Sequence, residues 1–161
     1  MHRTYMKDEL VVFWDSEKCY HARRCVGSSA KIFDPKRRPW IDLSQAEMPE
    51  IWECVSKCPS GALTCAYTHG IDVRFEEDAC RSAAYDGEKQ VGVCLYREGP
   101  DGWSIVSTRV DPAYGGQGIA KRLVYSVTEA AERRKAAVIP VCSYAVKLLG
   151  PAEKKGSEVT I

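Results

Sequence analysis

The stretch from Val110 to Arg134, V-D-P-A-Y-G-G-Q-G-I-A-K-R-L-V-Y-S-V-T-E-A-A-E-R-R, reads as a strand end, a glycine-rich turn and a long amphipathic helix. Gly115, Gly116 and Gly118 stand just before the helix, where backbone amides can come close to an anionic group. A helix N-terminus offers unpaired N–H donors and the positive end of the helix dipole, a combination that suits a phosphate. Along the helix, Ile119, Leu123, Val127, Ala130 and Ala131 share one face, which marks it as packed against a core. Taken alone, the turn fits a phosphate cradle and an ordinary strand-to-helix connection equally well.

Working outward, Ile71–Phe75 alternates as a half-buried strand, and Gln90–Tyr96 and Trp103–Val110 form two more apolar runs. Gly99-Pro100-Asp101-Gly102 between the last two predicts a hairpin turn. Beyond the long helix, Ala137–Val141 predicts a fourth strand and Ser143–Leu149 a short helix stopped by Gly150-Pro151. The tail Glu153–Ile161 is polar and reads as frayed. Two nucleotide motifs are excluded: G-x-G-x-x-G needs a glycine where Lys121 stands, and no Walker A loop is present. A mixed sheet with a phosphate-binding turn between strand and helix fits acyl-coenzyme A, whose pyrophosphate such a turn can receive.

The first part of the chain has a different character. Eight cysteines are present, and Cys19, Cys25, Cys54, Cys58 and Cys65 fall in the first 65 residues, whereas Cys80, Cys94 and Cys142 are scattered. That asymmetry predicts two domains, 1–68 and 69–161. With 45% hydrophobic and 28% charged residues the composition is that of a soluble globular protein. A net charge of +1 gives no general attraction to nucleic acid or membrane. No apolar run has the length of a membrane span and no signal-peptide core is visible, so a cytoplasmic location is expected. Reducing cytosol disfavours disulfides, and clustered cysteines there hold metal or do chemistry.

Leu10–Trp14 predicts a strand, Cys19–Cys25 has the pattern C-x-H-x3-C, and Ser44 with Glu47 predicts a capped helix through Lys57, ended by Cys58-Pro59-Ser60-Gly61. Met48, Ile51, Trp52 and Val55 form its apolar stripe, and Ala62–Tyr67 predicts a returning strand. Cysteine followed by proline after a loop-held group of cysteines is a ferredoxin habit. Three cysteines and a histidine are equally a sound zinc set, although the paired C-x2–4-C knuckles of zinc sites are missing. Thiols without metal are the remaining alternative. His21 is the nearest fourth ligand for a cluster. Cys54 lies one helical turn before Cys58 and reads better as a buried core residue, and Cys65 is ambiguous.

The segment Asp15–Leu63, with D-S-E-K-C-Y-H-A-R-R-C-V, F-D-P-K-R-R-P-W-I and C-P-S-G-A-L, resembles the divergent 4Fe–4S mono-cluster domain family over most of residues 8–67. The resemblance implies Cys19, Cys25 and Cys58 as ligands of a 4Fe–4S or 3Fe–4S cluster. The later part, with V-D-P, G-G-Q-G-I-A-K-R-L-V and I-P-V-C-S-Y, resembles the minimal single-domain branch of the GNAT acetyltransferases over about 70–149. Together these imply an α+β protein: a small ferredoxin-like iron–sulfur domain, then an α/β mixed-sheet domain.

By the second resemblance, the backbone of Gly116, Gln117, Gly118, Ile119 and Ala120 would hold the pyrophosphate of acetyl-CoA. Pantetheine would run between the strand ending near Val110 and the next parallel strand. Backbone amides near Val110 would serve the oxyanion, Tyr144 would protonate the leaving thiolate, and Cys142 stands as an alternative nucleophile. The chain departs from the family at Gly115, where Arg or Gln is usual, at Ser107, where a His is common, and at Pro151-Ala152-Glu153. The expected function is acetyl-CoA-dependent N-acyl transfer to an unknown amine by a chain that carries an iron–sulfur module, with a redox partner protein possible. The alternative is an iron–sulfur electron carrier or redox sensor with an inactive acyl-CoA-binding fold.

Overall fold

The structure is a computed structural model that describes residues 1–151. The expectations for the tail, Ala152 and Glu153 included, lie outside those residues. Two sheets enclose one long helix.

The first sheet has three antiparallel strands, β1 (His2–Lys7), β2 (Leu10–Asp15) and β3 (Leu63–Tyr67), in the order β1-β2-β3. Every residue of the central strand β2 is buried, because both of its faces are covered. Leu10, Val12 and Trp14 pack on Ile32, Phe33, Ile41, Ile51 and Val55. Val11 and Phe13 on the other face meet Tyr125. An uninterrupted L-V-V-F-W run is what a doubly covered strand needs. Two helices, α1 (Arg24–Ser28) and α2 (Met48–Ser56), complete this part.

The second sheet runs β4 (Asp72–Glu76), β5 (Arg81–Asp86), β6 (Lys89–Gly99), β7 (Gly102–Val110) and β8 (Val138–Pro140), with β8 parallel to β7 and the rest antiparallel. The helix α3 (Ile119–Arg133) crosses it and α4 (Ser143–Leu149) follows β8. Ile119, Leu123, Val127, Ala130 and Ala131 all enter the core with Val91, Tyr96, Trp103 and Ile105. The opposite face of α3 lies on the first sheet. There Arg3 forms a two-pronged ion pair with Glu132 (2.6 and 3.0 Å), Glu129 accepts from the Thr4 amide, and Lys121 Nζ donates to Thr64 Oγ1 at 2.6 Å.

Several elements differ from expectation. The helix expected from Ser44 begins at Met48 with Glu47 as N-cap, because Pro49 is tolerated only in a first turn. Ser44 bonds Asp42 instead, at 2.6 Å. The expected fourth strand shrinks to Val138–Pro140. β1, β5 and α1 carried no usable pattern: β1 is largely polar, β5 is R-S-A-A-Y-D with small, weak strand formers, and α1 is one short turn.

Candidate functional site: a cysteine-lined cavity and a glycine turn

The loop from Ser16 to Arg23 brings Cys19 and Cys25 toward Cys58. His21 and Arg23 adopt left-handed backbone conformations (φ 59° and 60°), which reverse the chain twice between the two cysteines. All three cysteines and His21 line one cavity of about 1070 Å³, together with Trp14 and Trp40, whose rings pack edge-on at 4.8 Å. Cys19 Sγ accepts the His21 N–H at 3.4 Å, and Cys58 Sγ accepts the Leu63 N–H at 3.5 Å, beside the Ser60 hydroxyl at 3.5 Å. Burial pushes the Cys58 thiol up, but bonds from Ser60 and nearby amides outweigh it and leave its pKa lowered. Burial raises Cys25, with the Cys58 and Cys19 sulfurs adding to it. Cys54 is buried in the core, and Cys65 is pushed up to about 11 by burial; neither lines the cavity.

The donor set can be tested against a metal. Among the described residues, the three sulfurs and His21 do not gather within 4.8 Å of one another as ligands of a single ion would. Tetrahedral zinc with bonds of about 2.3 Å needs sulfurs about 3.8 Å apart. A cubane attaches each thiolate to a different iron, so its sulfurs stand farther apart. The cavity fits a cluster better than zinc.

The second site starts where β7 leaves the sheet. β8 pairs with β7 only from Trp103 to Ile105, while β7 continues to Val110, so its last residues have no strand partner on that side among the described residues. Asp111 caps a short 3-10 turn through the Ala113 amide, and Gly116 and Gly118 then take left-handed conformations (φ 75° and 73°). Gly118 is the N-cap of α3, and a Cβ there would lie 3.4 Å from the Ala66 methyl of β3. Gly116 faces open space. Gln117 Oε1 is buried with no hydrogen-bond partner among the described residues, Ile119 is buried, and Ala120 is half-buried. Cys142 caps α4 through the Ala145 amide (3.4 Å), and its sulfur is 3.5 Å from Thr108 Oγ1 on β7. Tyr144, two residues on in the first turn of α4, is half-buried, and burial raises its phenol. Cys142 thus meets β7 at Thr108, two residues before Val110 and the turn that follows it.

Comparison with known proteins places these sites in context. Residues 5–69 match the family described as divergent 4Fe-4S mono-cluster, and residues 81–156 match GCN5-related N-acetyl-transferase. The chain carries one domain of each family, in that order. Over 62 residues it is 32% identical to "Uncharacterized protein YjdI" of Escherichia coli (strain K12), covering 38% of this chain and 82% of that protein; the O157:H7 form matches equally. A solved structure described as a transcriptional regulator from Bacillus halodurans C-125 aligns over 89% of this chain and 96% of its own, at 16% identity and a TM-score of 0.37, too loosely to carry an argument. The fold is thus the mixed one expected, an iron–sulfur family module followed by an acetyltransferase family module. No described helix is long and apolar enough to cross a membrane.

Sequence reasoning missed two site contributors. Thr108 reads as an ordinary strand residue, and only pairing across β7 and β8 brings it to Cys142. Trp40 was a loop residue until the Arg37 guanidinium, donating to the Ile32, Pro39 and Trp40 carbonyls, folded that loop onto the cavity.

Proposed function

We propose that the chain binds acyl-coenzyme A at the glycine turn and transfers the acyl group to an amine, while its N-terminal module holds an iron–sulfur cluster. The observation that carries the first half is the pair of left-handed glycines opening a 15-residue helix beside an unpaired stretch of β7. In this reading the amides from Gly116 to Ala120 take the pyrophosphate, and the free edge of β7 up to Val110 lines the pantetheine. The Val110 amide faces the oxyanion. Tyr144 suits the leaving thiolate, because its phenol holds a proton at neutral pH and burial keeps it in that form. Cys142 has only Thr108 and the Ala145 amide as hydrogen-bond partners among the described residues, with no histidine or carboxylate to take its proton. Direct transfer is therefore favoured over an acyl-cysteine.

In the N-terminal module Cys19, Cys25 and Cys58 are the proposed ligands, with His21 as the fourth, since Cys54 and Cys65 lie away from the cavity. Such a cluster supplies one-electron exchange. The N–H bonds hold the Cys19 and Cys58 sulfurs in place, and at Cys58 the bonds from Ser60 and nearby amides favour the ionised form. The missing base beside Cys142 supports a second reading, a redox protein whose acyl-CoA fold binds without catalysis.

Two measurements test this. Iron and sulfide analysis of anaerobically prepared protein should find both, and iron-free protein would overturn the cluster. Calorimetry with acetyl-CoA should show binding that Gly116→Val weakens by about ten-fold or more, the loss of one or two charge-assisted amide bonds. Gly116 is the better probe than Gly118, whose added Cβ would also press on Ala66. Binding without thiol release in the presence of amines would select the second reading; no binding would sink the site.

A further inference from the structure

We propose that the mouth of the cysteine-lined cavity is a docking face for an acidic one-electron carrier protein. The inference rests on the cluster reading above and adds the chemistry of the partner. Arg3, Arg23, Arg24, Lys36 and Arg38 line the cavity against one carboxylate, Asp34. Arg3 is committed to Glu132. Arg23, Arg24, Lys36 and Arg38 are exposed and form no ion pair among the described residues. The whole chain carries a net charge of only +1, so this concentration is local and is not general basicity. Tyr20, beside Cys19, is 64% exposed. An exposed tyrosine among unpaired arginines has the composition of an interface anchor.

Two other uses of the charge fit less well. Cations serving only to neutralise thiolates would be drawn inward beside them, yet Arg23, Arg24, Lys36 and Arg38 are exposed. A nucleic acid needs a basic track along its backbone, whereas these cations ring one opening. Charge placed around an opening steers an oppositely charged protein toward whatever the opening holds. In the exchange the partner's reduced centre loses one electron, a cluster held by the cysteines would gain it, and no covalent bond changes.

The test mixes the full-length, iron- and sulfide-loaded chain with a small acidic flavoprotein carrying reduced FMN, and follows cluster absorbance by stopped flow. The second-order rate should fall about ten-fold between about 20 mM and about 300 mM salt. The double variant Arg24→Glu/Lys36→Glu should lose a similar factor at low salt and gain with a basic cytochrome used as carrier, a reversal that damage to the fold does not produce. Equal electron-spin signals after chemical reduction check that both proteins hold the same cluster. A rate indifferent to salt and to charge reversal overturns the proposal. Protein without iron and sulfide instead sinks the cluster reading. Calorimetry of the flavoprotein on that metal-free chain then decides the face alone, and no salt-sensitive binding overturns it. Tighter binding of a single-stranded oligonucleotide than of the flavoprotein at equal salt reassigns the face and overturns it too.

Discussion

Lys121 sits in the first turn of α3, two residues after the Ile119 that opens the helix, and its ammonium lies 4.5 Å over the Phe13 ring and 5.5 Å over Tyr125. Burial is the main reason its pKa falls to about 8, with Lys18 adding to it and Asp15 opposing. In the unfolded chain it returns to 10.5, so between about pH 8 and 10.5 the unfolded state binds more protons and folding gains stability as pH rises. Below pH 8 the full cost of burying the charge is present. Chemical denaturation at pH 7.5 and 9.5 should therefore show a rise for the native chain that Lys121→Met flattens. Cysteine reactivity offers a second check at this scale. In metal-free protein iodoacetamide should modify Cys58, whose thiol is lowered, well before Cys65, held at about 11. The matching variants should separate in iron content: Cys58→Ser loses iron, and Cys54→Ser and Cys65→Ser keep it.

At the level of elements, the glycine turn works because the strand before it and the helix after it are fixed independently. The β6–β7 hairpin pairs Gly99 with Gly102 as its composition predicts, and places β7 against β8. Gly102 has φ 134°, and an added Cβ would stand 2.3 Å from the Ala137 carbonyl oxygen, which also accepts the Trp103 amide. No flexible side chain can yield there. Gly102→Ala should thus cost about 2–3 kcal/mol by the usual scale of backbone strain and disrupted packing. It should also loosen the β7–β8 junction that aligns Cys142 with Thr108. Thermal denaturation measures the first effect and acetyl-CoA calorimetry the second.

At the scale of the molecule, α3 serves two cores at once. Tyr125 is almost fully buried on its outer face, edge-on to Phe13 at 5.3 Å and to His2 at 5.2 Å. Tyr125→Ala should destabilise by about 3–5 kcal/mol, as for other large aromatic residues, and should lower the stability of both modules together, because one side chain fills the space between them. Tryptophan fluorescence can separate the two, since Trp14, Trp40 and Trp52 lie in the first module and Trp103 in the second. β3 also joins the sites: Leu63 donates to Cys58 Sγ, Thr64 accepts from Lys121, and Ala66 borders Gly118.

The chain's order of chemistry was readable without coordinates. Cys19, His21, Cys25 and Cys58 stand out as candidate ligands by residue type and spacing, and the glycine turn with its 3.6-residue apolar face identifies α3, because both signals are local along the chain. What remained hidden depends on partners far away in sequence. Tyr125, Lys121 and Glu129 read as the polar or mixed outer face of a surface helix, and only the arrival of β1, β2 and β3 covers them. Strands such as β1 and β5, with little pattern of their own, form because β2 and β6 offer them edges to pair with. Thr108 reaches Cys142, and the rim cations reach one opening, through packing across distances that spacing in a sequence does not encode.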